Sequence, residues 1–233
     1  MKIAIITGAS VGIGHATARA FISEGFRVFN LSRRECPEPE VNNLHCDLSS
    51  PSSVDAACDV LAPEIGTCTS VALVQNASQM LKDSVQDCDS DSLRRVLETN
   101  VVAINSLNRR LLALLPRSSS VLYVGSTLSE KAVPGSFSYV VSKHAQLGMM
   151  RATCQDLMGA GVHTALICPG FTDTEMLRTH LGGDPEIERI IAGMNSYDRL
   201  IHPEEIGELI RWAHHNPVIN GAVLHANLGQ KEA

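Results

Sequence analysis

Tyr139 and Lys143, in the segment FSYVVSKHA (137–145), are two side chains whose types and spacing could do chemistry together. If the segment is helical, the phenol and the ammonium lie one turn apart on the same face. A nearby cation favours the phenolate and draws the pKa of a tyrosine down from its usual value of about 10. The pair therefore predicts a tyrosine that exchanges protons with a reacting group. The alternative is an aromatic ring packed on a lysine stem.

A glycine-rich segment, TGASVGIGHATARAF (7–21), follows the first apolar run of the chain. Gly8, Gly12 and Gly14 permit a tight turn and a close backbone approach, and the start of the following helix can receive a pyrophosphate. Their spacing, G-x3-G-x-G, differs from the usual G-x-G-x-x-G. The segment predicts a dinucleotide site at the first strand–helix connection.

The second apolar run ends in Ser32, Arg33 and Arg34. In a dinucleotide site, the residues at the end of the second strand contact the ribose of the adenosine. A carboxylate at that place bonds the ribose hydroxyls and favours NAD, whereas an arginine accommodates a 2′-phosphate. Arg33 can pair with a phosphate through two hydrogen bonds, and Ser32 can add another. The segment therefore favours NADP(H) over NAD(H), with a solvated basic turn as the alternative.

Short apolar runs alternate with longer helical patterns along the chain. Strands are predicted at 2–7, 27–32, 43–46, 70–75, 120–125, 162–168 and 221–226, and helices at 12–24, 52–62, 90–114, 136–159 and 203–214. The strands are apolar almost throughout, as expected when helices cover both faces of a sheet. The pattern predicts a three-layer α/β/α fold with a doubly wound, parallel, seven-stranded sheet of Rossmann type.

Residues 1–233 show no linker, repeat or low-complexity tract, so we predict one domain. One long segment, 171–201, does not fit a simple strand–helix unit. It follows the carboxyl end of a strand, where ligands bind in open α/β sheets. We interpret it as an insert that covers the substrate, with an irregular surface excursion as the alternative.

The composition argues against several classes of function. The formal net charge is −6 and the arginine pairs are scattered, which disfavours a nucleic-acid partner. Seven cysteines without a CxxC motif indicate reduced thiols in a cytoplasmic protein. The nine histidines form no HExxH motif, so no metal site is expected. The four apolar residues before Thr7 are too few for a signal segment or a membrane span.

Several elements resemble, in chain order, the motifs of the short-chain dehydrogenase/reductase family in its single-domain branch. They are TGASVGIG (7–14), Asp47 in HCDLS, Asn76-Ala77-Ser78, Asn100 in LETNVVA, Ser126, the YxxxK motif of Tyr139 and Lys143, and CPGFTDTEM (168–176). The resemblance covers residues 2 to about 227. The chain departs from the family at Ser78, which is usually Gly, at Val11, which is basic in some NADP-preferring members, and in HANLGQ (225–230), which lacks the common Asp-Gly-Gly.

The resemblance implies a catalytic tetrad of Asn100, Ser126, Tyr139 and Lys143. Tyr139 is then the general acid and base, Lys143 lowers its pKa and holds the nicotinamide ribose, and Ser126 orients the substrate oxygen. Asn100 is expected to anchor a water that relays protons from Lys143 to solvent. Together with the turn after the second strand, the resemblance predicts a cofactor-binding set of Gly8, Ser10, Gly12, Ile13, Gly14, Ser32, Arg33, Arg34, Asp47, Leu48, Asn76, Ala77, Tyr139, Lys143, Pro169, Gly170, Thr172 and Thr174.

The implied activity is hydride transfer between NADP(H) and a small ketone, aldehyde or secondary alcohol. Within this class a 3-oxoacyl carrier-protein reductase stays open, although the acidic net charge disfavours docking of an acidic carrier. A protein that binds NADP(H) as a sensor or scaffold, without turnover, is a further alternative that the intact tetrad disfavours. The resemblance also implies a homodimer or homotetramer formed through the long helices at 90–114 and 136–159. No membrane partner is expected, because the leading apolar run is too short for a membrane span.

Overall fold

A parallel sheet forms the middle layer of the protein and confirms the predicted fold class. The computed structural model describes residues 1–231; residues 232 and 233, the last of the predicted domain, lie outside the described residues. The strands are β1 (Lys2–Thr7), β2 (Arg27–Ser32), β3 (Val41–His45), β4 (Ser70–Gln75), β5 (Ser119–Val124), β6 (Val162–Pro169) and β7 (Ala222–Ala226). Their spatial order is β3-β2-β1-β4-β5-β6-β7. Because the order reverses between β1 and β4, a crevice opens beyond the carboxyl ends of these two strands.

Helices cover both faces of the sheet, which explains why the strands are apolar almost throughout. Those within residues 1–231 are α1 (Gly12–Ile22), α2 (Pro51–Ile65), α3 (Ser90–Leu97), α4 (Ala103–Leu111), α5 (Phe137–Asp156), α6 (Glu175–Leu181), α7 (Pro185–Ala192) and α8 (Pro203–His215). Ile3 and Ile5 of β1 pack in the core on the side of α2, α4 and α5. Ala4 and Ile6 pack on the opposite side, with α1 and α8. None of these helices is long and apolar enough to cross a membrane.

The helix predicted over 90–114 is interrupted in the structure. One turn of π-helix, Glu98–Val102, joins α3 to α4. It carries Asn100, whose side chain is fully buried and hydrogen-bonds the backbone of Gln79. A single π turn inside a helical segment is rare, and predicting one continuous helix over 90–114 did not resolve it.

The predicted insert at 171–201 contains two short helices, α6 and α7, that the sequence analysis did not predict. The Thr174 side chain caps α6 by accepting a hydrogen bond from the Leu177 N–H, and Asp184 caps α7 in the same way from Glu186. These capping residues were the available signal. Helices of seven and eight residues are too short to give a clear apolar period.

His214 on α8 is a buried, uncharged histidine that makes the fold sensitive to acid. Its ring nitrogens lie 2.7 Å from Ser120 Oγ and 3.2 Å from Ser70 Oγ, and its ring packs edge-on against Phe21. Burial lowers the pKa of His214 to about 3, because an imidazolium would lose its hydration there. In the unfolded chain the pKa is near 6.5, so the unfolded state takes up a proton first as the pH falls.

We expect the stability that neutral His214 contributes to be lost progressively as the pH drops from about 6.5 towards 3. Each unit of difference between the two pKa values corresponds to about 1.4 kcal/mol. Urea unfolding at a series of pH values should show a steeper acid loss for the wild type than for His214→Asn. His144→Asn, at an exposed position on α5, is the control and should follow the wild type. Equal slopes for wild type and His214→Asn would contradict the prediction.

Candidate active site

A cavity of about 1160 Å³ lies over the carboxyl ends of the strands, at the crevice between β1 and β4. Its walls come from the glycine loop, the turn after β2, the loops after β3 to β6, the start of α5 and the insert. Every residue of the predicted cofactor-binding set lines it, and so does Ser126, whereas Asn100 does not. Small-molecule sites usually measure about 300–1,000 Å³, so this cavity has room for more than a small substrate.

The glycine loop has the backbone geometry of a site for an anion. Gly8 and Gly12 have φ values of +71° and +56°, a backbone region that residues with a side chain rarely adopt. A Cβ at Gly14 would lie 2.1 Å from the Gly8 carbonyl oxygen, so any side chain there would displace the loop. Helix α1 begins at Gly12 with no side-chain cap and no acidic residue in its first turn. Its first N–H groups and the positive end of its dipole therefore remain available at the cavity.

Asn76 and Thr7 tie the glycine loop to the end of β4. Asn76 Nδ2 donates to the carbonyl oxygens of Thr7 (2.9 Å) and Gly8 (3.1 Å). Thr7 Oγ1 accepts from the backbone N–H groups of Asn76 (2.9 Å) and Ala77 (3.0 Å). The Asn76 amide, predicted to bind the cofactor, is thus engaged within the protein. The residue shapes the site by holding the loop.

Two asparagines that the sequence analysis missed hold the turn after β2. Asn30 accepts from the Ala9 N–H (2.9 Å) through Oδ1, and its Nδ2 donates to the Arg34 carbonyl (3.0 Å) and to Asn43 Oδ1 (2.8 Å). An asparagine inside the apolar run RVFNLS was the available signal, because a buried amide needs partners. These contacts fix the arginine turn relative to the glycine loop.

The two arginines of this turn have different surroundings. Arg34 Nη1 lies 3.2 Å from Glu175 Oε2 of α6; both side chains are more than half exposed, so the pair contributes little stability. Arg33 forms no ion pair within residues 1–231. The pKa of Asp47 is lowered mainly by hydrogen bonds from Ser49 and additionally by the Arg33 guanidinium. Arg33 is therefore the more available partner for a phosphate.

Ser126, Tyr139 and Lys143 come together between β5 and α5, in the wall of the cavity. Ser126 follows β5 and caps a short 3-10 turn by accepting from the Leu128 N–H (3.1 Å). Ser126 also acts on the Tyr139 phenol, whose pKa it lowers, so the two side chains are neighbours in the cavity wall. Lys143 lies one turn further along α5, with Nζ 5.3 Å from the centroid of the Tyr139 ring. The serine and tyrosine side chains thus lie together, with the lysine against the ring.

The predicted direction of the Tyr139 pKa shift was wrong. Burial raises the pKa of Tyr139 to about 12, because a phenolate would lose its hydration, and the neighbouring Ser126 offsets this only in part. Lys143 is largely uncharged at the pH where Tyr139 would titrate, so it does not favour the phenolate. Its Nζ donates to the Val124 carbonyl (2.8 Å) and Gln146 Oε1 (3.0 Å). The same burial lowers the pKa of Lys143 to about 7. Near neutral pH the phenol holds its proton and Lys143 is close to its titration midpoint.

Comparison with known proteins assigns the chain to a family. A family model described as short chain dehydrogenase matches residues 2–182, which include the glycine loop, Ser126, Tyr139 and Lys143. This chain belongs to the short-chain dehydrogenase family. The family consists of oxidoreductases that bind a nicotinamide cofactor, so the cavity of this dehydrogenase is its candidate active site.

Relatives of this dehydrogenase cover most of its length. Short chain aldehyde dehydrogenase 1 of Euphorbia lathyris is 28% identical over 201 residues, covering 80% of this chain and 70% of its own. The 3-oxoacyl-(acyl-carrier-protein) reductase FabG of Salmonella typhimurium is 23% identical, covering 98% and 96%. A short chain dehydrogenase from Burkholderia cenocepacia, solved in complex with NADP, has a TM-score of 0.87 at 23% identity and covers 98% of this chain and 97% of its own. At this identity the structural likeness shows the fold.

Asn100 of the dehydrogenase lies behind the cavity wall, and its predicted role as the anchor of a relay water stays a prediction. Its side-chain amide exchanges hydrogen bonds with the Gln79 backbone (2.7 and 2.8 Å) and donates to Ser142 Oγ (2.9 Å). Its backbone carbonyl accepts from Gln146 Nε2 (2.8 Å). The Gln146 amide therefore lies between Asn100 and Lys143, where a relay water was predicted.

The segment after β6 joins the cofactor loop to the insert. Thr174 caps α6, and its methyl group lies 3.1 Å from where a Cβ of Gly12 would stand. Thr172 Oγ1 donates to the Gly170 carbonyl (3.1 Å). Both hydroxyls predicted to touch the cofactor thus have partners within the chain, and their contact with a cofactor stays a prediction.

The C-terminal segment lines the cavity, which the sequence analysis did not predict. Gln230 and Lys231 reach it because the Lys231 N–H donates to the Met194 carbonyl (2.7 Å) and fastens the segment to the insert. Gln230 Oε1 and Ser78 Oγ are buried at this wall without a hydrogen-bond partner in residues 1–231. Buried polar atoms are normally paired, so these two are available to a ligand.

Three cations also line the cavity: Lys82, Arg95 and Lys131. The carboxylates in its wall, within the described part of the chain, are Asp47 and Glu175, both near the arginine turn. The three cations lie in two loops and one helix and share no sequence motif. Their grouping arises from the tertiary structure.

Proposed function

We propose that this protein is an NADP(H)-dependent oxidoreductase that interconverts a small ketone or aldehyde and the corresponding alcohol. The observation that carries the proposal is the placement of Ser126, Tyr139 and Lys143 in the wall of the cavity that also contains the glycine loop. A carbonyl oxygen held at the Ser126 and Tyr139 hydroxyls lies in the same cavity as the expected dinucleotide. Family membership gives the oxidoreductase class; the cofactor preference, substrate class and residue roles are our proposal.

The residues present fit NADP(H). The uncapped start of α1 suits a pyrophosphate, and Arg33 with Ser32 suits a 2′-phosphate. The unpaired Ser78 Oγ and Gln230 Oε1 suit polar groups of the cofactor or substrate. The Burkholderia cenocepacia dehydrogenase of the same fold, solved with NADP, supports this preference. When bound, NADP(H) supplies or accepts the hydride.

Tyr139 is the proposed general acid for reduction. With a pKa of about 12 it holds its proton at neutral pH and can give it to an alkoxide, which is far more basic. Ser126 donates a second hydrogen bond to the same oxygen as charge develops there. General acid catalysis of this kind contributes about 10²–10⁴-fold to the rate. Lys143, with a pKa of about 7, can supply the proton that replaces the one given by Tyr139.

A 3-oxoacyl carrier-protein reductase is the second candidate, and one structural observation favours it. Lys82, Arg95 and Lys131 bring positive charge to the cavity of an otherwise acidic protein. A cationic cleft raises the local concentration of an anionic substrate or carrier. The Salmonella typhimurium relative named for that activity is consistent with this candidate.

The proposal is tested by fluorescence titration of the purified protein with NADPH and with NADH, followed by turnover assays. We expect NADPH to bind at least about tenfold more tightly, and NADPH to be oxidised in the presence of ketones or aldehydes. Turnover confined to 3-oxoacyl thioesters would select the second candidate. Binding without turnover of any carbonyl or alcohol would favour a sensor or scaffold, and binding of neither nucleotide would contradict the proposal.

A further inference from the structure

Gln146 is a buried amide that connects two parts of the candidate active site. It lies on α5, three residues after Lys143, and is fully buried. Its Oε1 accepts from Lys143 Nζ at 3.0 Å, and its Nε2 donates to the Asn100 carbonyl at 2.8 Å. A buried amide is costly unless it is hydrogen-bonded, and here both of its ends are.

The contacts of Gln146 belong to a larger buried network. Asn100 donates to Ser142 Oγ (2.9 Å), and Ser142 Oγ donates to the Tyr139 carbonyl (2.8 Å). Lys143 Nζ is held from its other side by the Val124 carbonyl at the end of β5 (2.8 Å). Gln146 therefore closes a chain of bonds that runs from the first turn of α5, through the π-helical turn, and back to the lysine.

We propose that Gln146 is a positioning residue for the reaction proposed above, holding the Lys143 amine against the Tyr139 ring and separating it from Asn100. This role rests on the proposed function. An amide can accept a hydrogen bond from Lys143 and donate one to Asn100, but it does not pass a proton along like a water molecule. Lys143 therefore exchanges its proton on the side of the cavity.

The surroundings of Lys143 make it responsive to charge at position 146. The titratable groups that face it are Tyr139 on its own helix and Cys168 on β6, and burial raises the pKa of both, so both are neutral near pH 7. The two hydrogen-bond acceptors of Lys143, the Val124 carbonyl of β5 and the Gln146 amide, are both uncharged. A carboxylate in place of the amide would become the nearest opposite charge and would favour the charged amine.

Gln146→Glu tests the proposal through the titration of Lys143. The titration is followed by NMR of protein labelled at lysine Cε, with the Lys143 signal assigned by its loss in Lys143→Met, and in parallel by the pH dependence of kcat. We expect the Lys143 midpoint, and the matching limb of the kcat profile, to move upward by at least about one pH unit. The control, Gln155→Glu, makes the same change at an exposed position of α5 and should leave both unchanged.

Gln146→Met keeps the length of the side chain but removes the amide. We expect it to lower kcat by about tenfold and to move the Lys143 midpoint downward, because the charged amine loses an acceptor. If Gln146→Glu does not fold, this variant decides the question by the same two readouts. Suppose that the wild type is active and that the titration midpoint of Lys143 is the same in every folded Gln146 variant as in Gln155→Glu. This result would overturn the proposed role of Gln146. A wild type that binds neither nucleotide would instead overturn the proposed function, and the catalytic role of Gln146 with it.

Discussion

Replacing Tyr139 by phenylalanine is expected to lower kcat by a factor of about 10²–10⁴ and to leave NADPH affinity within about threefold of the wild type. The variant loses the hydroxyl in the cavity wall that donates the proton in the proposed mechanism. The ring, which is buried and contacts Lys143, is retained, so the packing of α5 should persist. The measurements are kcat with the best carbonyl substrate and a fluorescence titration with NADPH.

The proton stays on Tyr139 at every pH well below 12, so the loss should be of similar size between pH 6 and pH 9. Tyr197→Phe removes the same atom from an exposed tyrosine of the insert and should keep full activity. Retention of more than about a tenth of kcat by Tyr139→Phe would remove Tyr139 as the general acid. An equal loss of kcat and NADPH affinity would point to a disturbed fold, which thermal unfolding of the variant would detect.

Replacing Arg33 by aspartate is expected to weaken NADPH binding by about 100-fold and to leave NADH binding unchanged or improved. A charge-assisted hydrogen bond contributes about 1.5–3 kcal/mol, and the new carboxylate adds repulsion of the 2′-phosphate. In NADH the adenosine ribose carries no 2′-phosphate, so a carboxylate can hydrogen-bond to its free hydroxyls. The dissociation constants for both nucleotides, measured by fluorescence titration, give the change in preference directly.

Arg34 provides an internal comparison for this prediction. Because Glu175 engages its guanidinium, Arg34→Asp should weaken NADPH binding less than Arg33→Asp does. Arg94→Asp, on the exposed face of α3 and outside the cavity wall, is the control for a change of two charge units and should leave both affinities unchanged. An unchanged ratio of NADPH to NADH affinity in Arg33→Asp would dismiss Arg33 as the phosphate ligand.

The fold class could be predicted from the sequence because its determinants are local. Seven apolar runs alternating with helical patterns lead to parallel strands joined by right-handed crossovers, which leaves few topologies. The glycine loop is also readable locally, since Gly8 and Gly12 take positive φ angles that other residues avoid. The YxxxK spacing likewise places Tyr139 and Lys143 on one face of α5 before any tertiary contact is known.

The pKa values could not be predicted from spacing. The sequence places an ammonium near a phenol, but the sign of each shift depends on how much water both groups lose. Both are buried in the structure, and desolvation raises the pKa of Tyr139 and lowers that of Lys143. The hydrogen-bond partners of Lys143, namely Val124 and Gln146, decide which way its amine points.

The sequence by itself thus determined the order of the seven strands along the chain, the glycine loop and the pairing of Tyr139 with Lys143, because these depend on neighbours within a few residues. Only the tertiary structure decided the environment of that pair. It placed Gln146 against the carbonyl of Asn100, 46 positions away, and brought Gln230 to the cavity through the insert. Burial and hydrogen bonding act between groups that are close in space, and sequence spacing does not encode those distances.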